Sequence, residues 1–388
     1  MHLYNEGFLN KAFVIDRQTK DKLLKEDNKS GDLLKPYVQG ADINAWYQDD
    51  KDTWLIFTRR GIDIDQYPAI KNYLEQFRDE LEPRPSNLPS NHVWRGRKPG
   101  NYKWFEIQDS VEYYRVFESP RIHSTKVSLR PSFFYNQDVC YAANTSYVLP
   151  IGDSNRAKFL LSILNSNVSR YYSQNVFAPK ANGYYEVQPE KLELFPIPRI
   201  TFTTPAETRA AGVACLRALV ETGRMDETLV EAKRHLPEQA DVIHDLLAWL
   251  AEQMIEMHKF RQAEMRGFLA WLSREIGADL DGLTGKTTLF NYLGDYQKGE
   301  SEAPLTAILD VLRKNQKKLT VNVASRAFQE TLEKEYDASL AKLRPIKSRL
   351  AAVDALIDRV VYALYGLEEE EIAIIEGNSA GAVAERQE

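Results

Sequence analysis

The chain has 388 residues, of which 43% are hydrophobic and 27% charged, and its formal net charge is -6. This length is typical of two or three domains, and the absence of any apolar run of about 20 residues excludes a membrane-spanning helix. Only Cys140 and Cys215 are present, so a disulfide framework is excluded and the cytoplasm is the expected location.

The charge is unevenly distributed along the chain. Residues 1–200 contain 27 Lys and Arg against 25 Asp and Glu, whereas residues 201–388 contain 23 against 31. The first part also holds 30 of the 42 aromatic residues and 13 of the 17 prolines. A proline-rich connector at 195–205 separates the two parts, because each proline disfavours helix in the residue before it. We therefore predict domains at 1–200 and 201–376, and a disordered tail at 377–388.

The first part has a mixed pattern. We predict helices at 16–26, 67–81 and 157–172 from apolar residues at helical spacing. Segments 53–58, 120–127, 132–135 and 145–149 are dense in β-branched and aromatic residues and predict short strands, with a turn at 136–138. Helices and short strands in one unit indicate an α+β fold, with a mixed α/β domain first.

The second part is predicted to be an all-α domain. Helices are expected at 206–221, 228–235 and 240–275, and apolar residues recur every three or four positions from Tyr336 to Leu364. This last pattern favours a long helix buried in its own domain over an oligomerising coiled coil, since four clean heptads are not sustained. Pro345 lies inside it and is expected to kink the helix or to mark its start.

No catalytic constellation is found in the sequence. Gly285-Lys286-Thr287-Thr288 lacks the glycine of a phosphate-binding loop, because Leu280 occupies that position. The six histidines form no zinc-binding pattern, and no dinucleotide-binding glycine motif occurs. Glu231 and Lys233 match part of a metal-dependent nuclease motif, but a solvated helix face explains them better. We predict no catalytic, metal-binding or cofactor-binding residue in this chain.

A basic and aromatic stretch stands out between residues 94 and 130. It contains eight Lys and Arg against four acidic residues, with seven aromatic residues interleaved among residues 94–117. Gly96, Pro99 and Gly100 predict a loop, and arginines on a loop suit phosphate and guanine contacts. Further basic residues flank it at 59–60 and 180. The pattern favours nucleic-acid binding, and a solvated surface with ordinary ion pairs is the alternative.

Several segments together resemble a known family. They include LKPYVQGADI (34–43), FTRRGI (57–62), GRKPGNYKWFEIQ (96–108), NTSYVLP (144–150) and LFPIP (194–198), preceded by a segment at 6–16. In this order they resemble the TaqI-like C-terminal specificity domain, the target-recognition region of type IIG restriction–modification enzymes and adenine-specific DNA methyltransferases. The resemblance covers about residues 5–200. DRVVYALYGL (358–367) is similar to the helical tail that often follows this domain.

The resemblance implies sequence-specific recognition of double-stranded DNA. Such enzymes carry an Asn-Pro-Pro-Tyr motif and a glycine-bearing S-adenosylmethionine site, and neither occurs here. We therefore expect the chain itself not to be catalytic. Its expected partners are double-stranded DNA and an upstream methyltransferase domain of the same polypeptide. That domain is expected to hold S-adenosylmethionine and to methylate adenine at N6. An endonuclease activity with Mg²⁺ in the parent enzyme is left open.

The resemblance and the charge pattern together predict the DNA-binding residues. Arg59, Arg60, Lys98 and Lys103 are expected to hold phosphates, and Arg95, Arg97, His123, Lys180 and Asn182 to contact base edges. The full predicted set is Arg59, Arg60, Arg95, Arg97, Lys98, Lys103, Trp104, Arg121, His123, Lys126, Lys180, Asn182 and Tyr184. The helical domain is expected to be a spacer or docking surface.

Two other hypotheses are compatible with the sequence. The chain could be a metal-dependent nuclease fragment with Glu231 and Lys233 as a degenerate site. Alternatively, it could be a protein-interaction module of a phage-defence complex, docking through its helical half.

Overall fold

The computed structural model describes residues 12–49, 51–89 and 91–384, with side chains through residue 377. Residues 6–11 of the first family-like segment lie outside the described residues. Contacts divide the chain into two units. The first comprises the described residues through Ile197 together with those from Glu370 onward, and the second is Pro198–Glu369. The predicted division into functional domains, with limits at residues 200 and 376, stays a prediction.

The described strands all belong to the first unit and are short. They are β1 (Val14–Ile15), β2 (Leu34–Val38), β3 (Trp54–Ile56), β4 (Arg121–Thr125), β5 (Val127–Ser128), β6 (Phe133–Asn136), β7 (Tyr141–Ala142), β8 (Ser146–Pro150), β9 (Ala178–Pro179) and β10 (Tyr185–Glu186). The four strands predicted from β-branched and aromatic residues are confirmed within this set, as β3, β4, β6 and β8. Each is five residues or shorter because loops and turns interrupt the chain between them.

Three small sheets organise these strands. Their strand orders are β1-β3-β2-β7, β6-β4-β8 and β5-β10-β9. All pairs are antiparallel except β2 with β7, which run parallel. Strand β4 is central in its sheet, and every one of its five residues is buried. That burial places its polar side chains inside the unit.

The helices of the first unit before Ile197 are short, and two of the predicted ones are divided. They are α1 (Arg17–Glu26), α2 (Pro68–Glu75), α3 (Arg78–Leu81), α4 (Ser154–Asn165), α5 (Asn167–Val176) and α6 (Pro189–Leu192). The predicted helix at 67–81 breaks at Gln76 and Phe77 into α2 and α3, and the one at 157–172 breaks at Ser166 into α4 and α5. Ser166 adopts an extended backbone, with φ -72° and ψ 164°. The apolar spacing continued across both breaks, so periodicity alone could not locate them.

A close backbone contact fixes part of the first unit. Gly40 follows β2, and its amide donates to Thr145 Oγ1 at 2.8 Å. A Cβ atom at this glycine would lie 2.2 Å from the carbonyl oxygen of Thr145. Only glycine allows the end of β2 to approach the start of β8 this closely.

The second unit is helical. Its helices are α7 (Ala206–Glu221), α8 (Met225–His235), α9 (Ala240–Ile276), α10 (Lys286–Phe290), α11 (Leu305–Lys314) and α12 (Arg326–Tyr365). The long helices α9 and α12 pack along each other and bury apolar side chains such as Leu250, Met254, Val353 and Ile357. This burial confirms the prediction of a long helix packed within its own unit. Pro345 lies inside α12, and the helix begins earlier, at Arg326.

The described chain ends in α13 (Glu369–Ala384). Helix therefore extends into the segment 377–388 that was predicted to be disordered, and residues 385–388 lie outside the described residues. Taken together, the mixed first unit and the helical second unit confirm the predicted α+β class. Among the helices that the structure describes, none has the length and apolar character needed to cross a bilayer.

Candidate nucleic-acid interface

The structure separates the predicted DNA-binding residues by burial. Eight side chains are exposed, namely Arg59, Arg60, Arg95, Lys98, Lys103, Lys180, Asn182 and Tyr184, and Lys126 is half-buried. Four are buried, namely Arg97, Trp104, Arg121 and His123. The exposed residues form two groups, one around residues 59–103 and one around the β9–β10 hairpin.

The first exposed group begins with Arg59, three residues after the end of β3. Gly61 has φ +80°, a left-handed conformation that glycine adopts without strain, and it turns the chain just after Arg59 and Arg60. Both arginines line a cleft of about 370 Å³, together with Lys35 and the aromatic rings of Tyr67 and Tyr114. The guanidinium carbon of Arg59 lies 5.3 Å from the Tyr114 ring centroid. Asp32 and Glu118 also line this cleft, so three cations and two carboxylates lie beside the aromatic wall. A cation next to an aromatic ring suits stacking with a planar group.

The second basic segment is the loop that contains Lys98 and Lys103. The Nζ of Lys103 lies 5.5 Å from the Phe105 ring centroid, and Lys103 lines a neighbouring cleft of about 470 Å³. Gly61 and Ile62 line both clefts. The two basic segments are therefore adjacent in space, although they are separated by some 40 residues of sequence.

Ion pairing distinguishes these cations from their neighbours. Within residues 12–49, 51–89 and 91–377, no carboxylate forms a salt bridge with Arg59, Arg60, Arg95, Lys98 or Lys103. Close by, Lys71 pairs with Asp65 at 2.6 Å and Arg78 with Glu75 at 2.8 Å. An exposed cation without a carboxylate partner can neutralise a phosphate at little competing cost, so the five are suited to a polyanion.

Arg97 does not belong to this exposed set, contrary to the prediction. Only 5% of its surface is exposed, and its guanidinium donates to backbone carbonyls of the surrounding loop. The acceptors are the carbonyl oxygens of Leu81 (2.6 Å), Glu106 (2.7 Å), Lys103 (3.0 Å) and Trp104 (2.8 Å). Its guanidinium carbon also lies 4.3 Å from the Tyr102 ring centroid. Arg97 therefore organises the basic loop from inside and is not accessible to a base edge.

Arg121 and His123 are also buried, on β4. They lie two residues apart, and alternate residues of a strand share a face. Arg121 Nε donates to His123 Nε2 at 2.9 Å, and its other nitrogens donate to the carbonyls of Ser119, Asp138 and Cys140. The His123 ring stacks on Phe134, with centroids 4.7 Å apart. Burial and the charge of Arg121 lower the pKa of His123 well below its usual value, so the imidazole is neutral.

Trp104 is the fourth buried candidate. Its surface is 8% exposed, and its indole packs edge-on against Phe105 with Arg78 over the ring at 4.9 Å. Its burial in the core beneath the basic loop leaves its ring faces closed to a stacking base. The i, i+2 spacing of Arg121 and His123 within a predicted strand indicates that they share a face but does not show whether that face is buried. No comparable local signal identifies Trp104.

The second exposed group surrounds the hairpin formed by β9 and β10. Asn182 and Gly183 have φ +59° and +71°, and the amide of Lys180 donates to the carbonyl of Tyr184 at 2.7 Å. This closes a tight turn whose residues are all exposed. Strand β10 also pairs with β5, which brings Lys126 close, since the amide of Val187 donates to the carbonyl of Lys126 at 2.8 Å. Lys180 is paired with Glu186 at 2.6 Å.

Two residues beside the predicted cations were missed by the sequence analysis. Lys35, half-buried on β2, lines the same cleft as Arg59 and Arg60. Glu106 is 4% exposed and accepts hydrogen bonds from the amides of Gly61 and Lys103. An isolated lysine next to a proline and a single glutamate in a loop carry no pattern. Only the fold brings these side chains to the basic segments.

The segments weighed for other chemistry have structural contacts. Glu231 pairs with Arg234 at 2.6 Å on α8, and in the described part of the chain no group of three His, Cys, Asp or Glu side chains could hold a metal ion. Lys286 pairs with Asp281 at 2.9 Å, and Leu280 is buried in the core of the second unit. Neither segment presents a built site.

Comparison with protein families supports the resemblance. Residues 35–197 match the family described as the TaqI-like C-terminal specificity domain. Among solved structures, one similar chain belongs to the type IIL restriction-modification enzyme MmeI in complex with DNA, at 14% sequence identity and a TM-score of 0.36. The match covers 64% of this chain and 31% of the MmeI chain, so this chain spans about a third of that relative.

Proposed function

We propose that residues 35–197, which form a TaqI-like C-terminal specificity domain, recognise a specific double-stranded DNA sequence within a restriction–modification enzyme. One observation of the structure carries this proposal. Arg59, Arg60, Arg95, Lys98 and Lys103 are exposed and lack carboxylate partners among the described residues, and they lie inside the matched segment. Such cations release counterions from DNA on binding, which is the main electrostatic contribution to affinity.

We further propose a division of roles within the domain. Arg59, Arg60, Lys98 and Lys103 contact phosphates and fix the position of the duplex. The exposed hairpin turn with Asn182 and Tyr184, together with Arg95, contacts base edges. Asn is suited to adenine and Arg to guanine, and a bidentate pair contributes about 1–3 kcal/mol of discrimination. Arg97, Trp104, Arg121 and His123 support the domain from inside.

The parent enzyme is proposed to be a type IIG-like N6-adenine DNA methyltransferase of the cytoplasm. Methyl transfer requires S-adenosylmethionine and an Asn-Pro-Pro-Tyr type motif, and the present 388 residues contain no such motif. A methyltransferase domain upstream on the same polypeptide would supply both and would flip the target adenine out of the duplex. Cleavage of DNA by the parent enzyme would also require Mg²⁺ in its upstream part. The second unit is proposed as a spacer or docking region, in keeping with a defence role against phage.

Selection from a pool of randomised duplexes tests the proposal on the complete 388-residue chain. We expect enrichment of one consensus sequence, and Asn182→Ala should relax that consensus at one position without abolishing binding. Arg59→Gln with Arg60→Gln should weaken binding to all sequences alike. A control with Lys259→Gln and Arg326→Gln removes two cations of the second unit, each paired with a carboxylate, and should change nothing. Recovery of random sequences with no salt dependence would favour a protein-interaction module instead.

A further inference from the structure

A buried carboxylate lies between the two basic segments of the first unit. Glu106 Oε1 accepts the amide hydrogen of Gly61 at 2.9 Å, and Glu106 Oε2 accepts that of Lys103 at 2.8 Å. Its surface is only 4% exposed. Gly61 directly follows Arg59 and Arg60, and Lys103 closes the basic loop. One side chain thus holds the backbone of both segments, one oxygen for each.

Further hydrogen bonds connect the backbone on both sides of Glu106. The hydroxyl of Thr58 donates to the carbonyl of Phe105 at 2.5 Å, and the amide of Ile107 donates to the carbonyl of Thr58 at 2.8 Å. The guanidinium of Arg60 donates to the carbonyl of Gln108 at 2.9 Å. These contacts run along residues 58–61 and 105–108 on both sides of Glu106. The separation between the two basic segments is therefore set by the structure and is not left to flexible side chains.

The choice of a carboxylate follows from hydrogen-bond chemistry. An ionised carboxylate offers acceptors on both oxygens, so it can satisfy two converging amide donors at once. A glutamine amide offers one acceptor and one donor, so one of the two N–H groups would face another donor. Hydrogen bonds to a charged acceptor are also about twice as strong as neutral ones.

We propose that residues 59–61 and 98–103 form one composite site for the phosphate backbone of DNA, with Glu106 as its positioning residue. The inference rests on the proposed DNA-binding function and adds a defined site to it. Gly61 and Ile62 line the cleft with Arg59 and Arg60 and also the cleft with Lys103. A DNA strand that crosses Gly61 and Ile62 would contact Arg59 and Arg60 in one cleft and Lys103 in the other. Glu106 does not touch DNA and acts through the spacing of those cations.

Glu106→Gln tests the positioning role, and Asp42→Asn is its matched control. Asp42 is also a buried carboxylate of the first unit, 3% exposed, which accepts the amide hydrogen of Gln39 at 3.0 Å and pairs with Lys51. Both substitutions convert a buried carboxylate to an amide and should lower the thermal stability. Only Glu106→Gln should weaken DNA binding, by about tenfold, comparable to one charge-assisted hydrogen bond. Asp42→Asn should stay within about twofold.

A combined variant separates positioning from general destabilisation. In a chain that already carries Arg59→Gln, Arg60→Gln and Lys103→Gln, adding Glu106→Gln should cause no further loss of affinity, because the cations it positions are gone. An equal loss in both backgrounds would overturn the inference. If Glu106→Gln does not fold, Glu106→Asp replaces it: this variant keeps the charge but shortens the reach by one methylene, and it should weaken binding more than Asp42→Asn does.

The outcomes also distinguish this inference from the proposed function. If Arg59→Gln with Arg60→Gln weakens DNA binding while Glu106→Gln matches Asp42→Asn, the composite site is wrong and DNA recognition stands. If the arginine substitutions leave binding unchanged, the proposed function itself fails.

Discussion

The exposed cations of the two units differ in what they contact. In the helical unit many of them hold a carboxylate three or four residues away, as Arg224 does with Glu227, Arg234 with Glu231, Lys259 with Glu256 and Arg326 with Glu330. In the first unit Arg59, Arg60, Lys98 and Lys103 have no such partner among the described residues. Ion pairing, more than net charge, therefore decides which surface is open to a polyanion.

Secondary structure explains the difference. Residues three and four apart are neighbours on a helix surface, so a helix rich in both signs pairs its own charges. The basic loop around Gly96, Pro99 and Gly100 has no such periodicity, and Glu106, the acid that follows it in the sequence, is buried and bonded to backbone amides. A total of -6 thus conceals a local cationic surface.

Arg97 gives the largest expected effect, because it is the buried cation of the basic loop and donates to four carbonyl oxygens. Arg97→Ala removes a buried donor from four carbonyl oxygens and should lower the free energy of unfolding of the first unit by about 3 kcal/mol. Arg95→Ala, two residues away and exposed, should stay within about 0.5 kcal/mol. Urea denaturation of both variants measures the difference. Similar losses in the two variants would contradict the distinction between buried and exposed arginines.

Acid should destabilise the first unit through His123. Its folded-state pKa lies well below the ordinary value, so below about pH 6.5 the unfolded chain binds a proton that the folded chain does not. Stability is then lost as the pH falls, by up to about 1.4 kcal/mol per pH unit for this group. His123→Gln keeps an acceptor for Arg121 but removes the titration.

Denaturation at neutral and acidic pH checks this prediction. The unsubstituted chain should lose more stability on acidification than the His123→Gln variant. The second unit contains its own buried histidine, His258, whose pKa is lowered by burial and by Arg261. The loss of stability of the second unit in acid should be unaffected by the substitution at His123. Equal acid sensitivity of the first unit in both chains would be the contradicting result.

The sequence predicted the helical unit better than the site. Helix 206–221 has the predicted limits, and 240–275 differs by one residue, because apolar periodicity over many turns is a strong local signal. The breaks at Gln76 and Ser166 were missed, since no proline or glycine marks them. Charge and loop composition indicated the basic segments at 59–60 and 95–103, and the Lys and Arg residues of these segments are exposed apart from Arg97.

Orientation within those segments could not be predicted. Arg95 and Arg97 have the same chemistry and the same local sequence context. Arg97 is turned inward by carbonyl acceptors at Leu81 and at residues 103–106, and these meet only after folding. Arg121 was predicted to be a surface cation. The sequence does not show that its strand, β4, lies between β6 and β8 in the sheet.

The salt dependence of DNA binding tests the central claim most directly. Dissociation constants over a range of salt concentrations are compared for the unsubstituted chain and two fourfold variants. One carries Gln at Arg59, Arg60, Lys98 and Lys103, and the other at Arg234, Lys259, Arg313 and Arg326, each of which is paired with a carboxylate. The first variant should reduce the magnitude of the slope of log K against log salt by about 3 to 4, and the second variant should leave the slope unchanged. Equal slopes for the two variants, which lose the same charge, would contradict the claim that unpaired cations of the first unit form the DNA-binding surface.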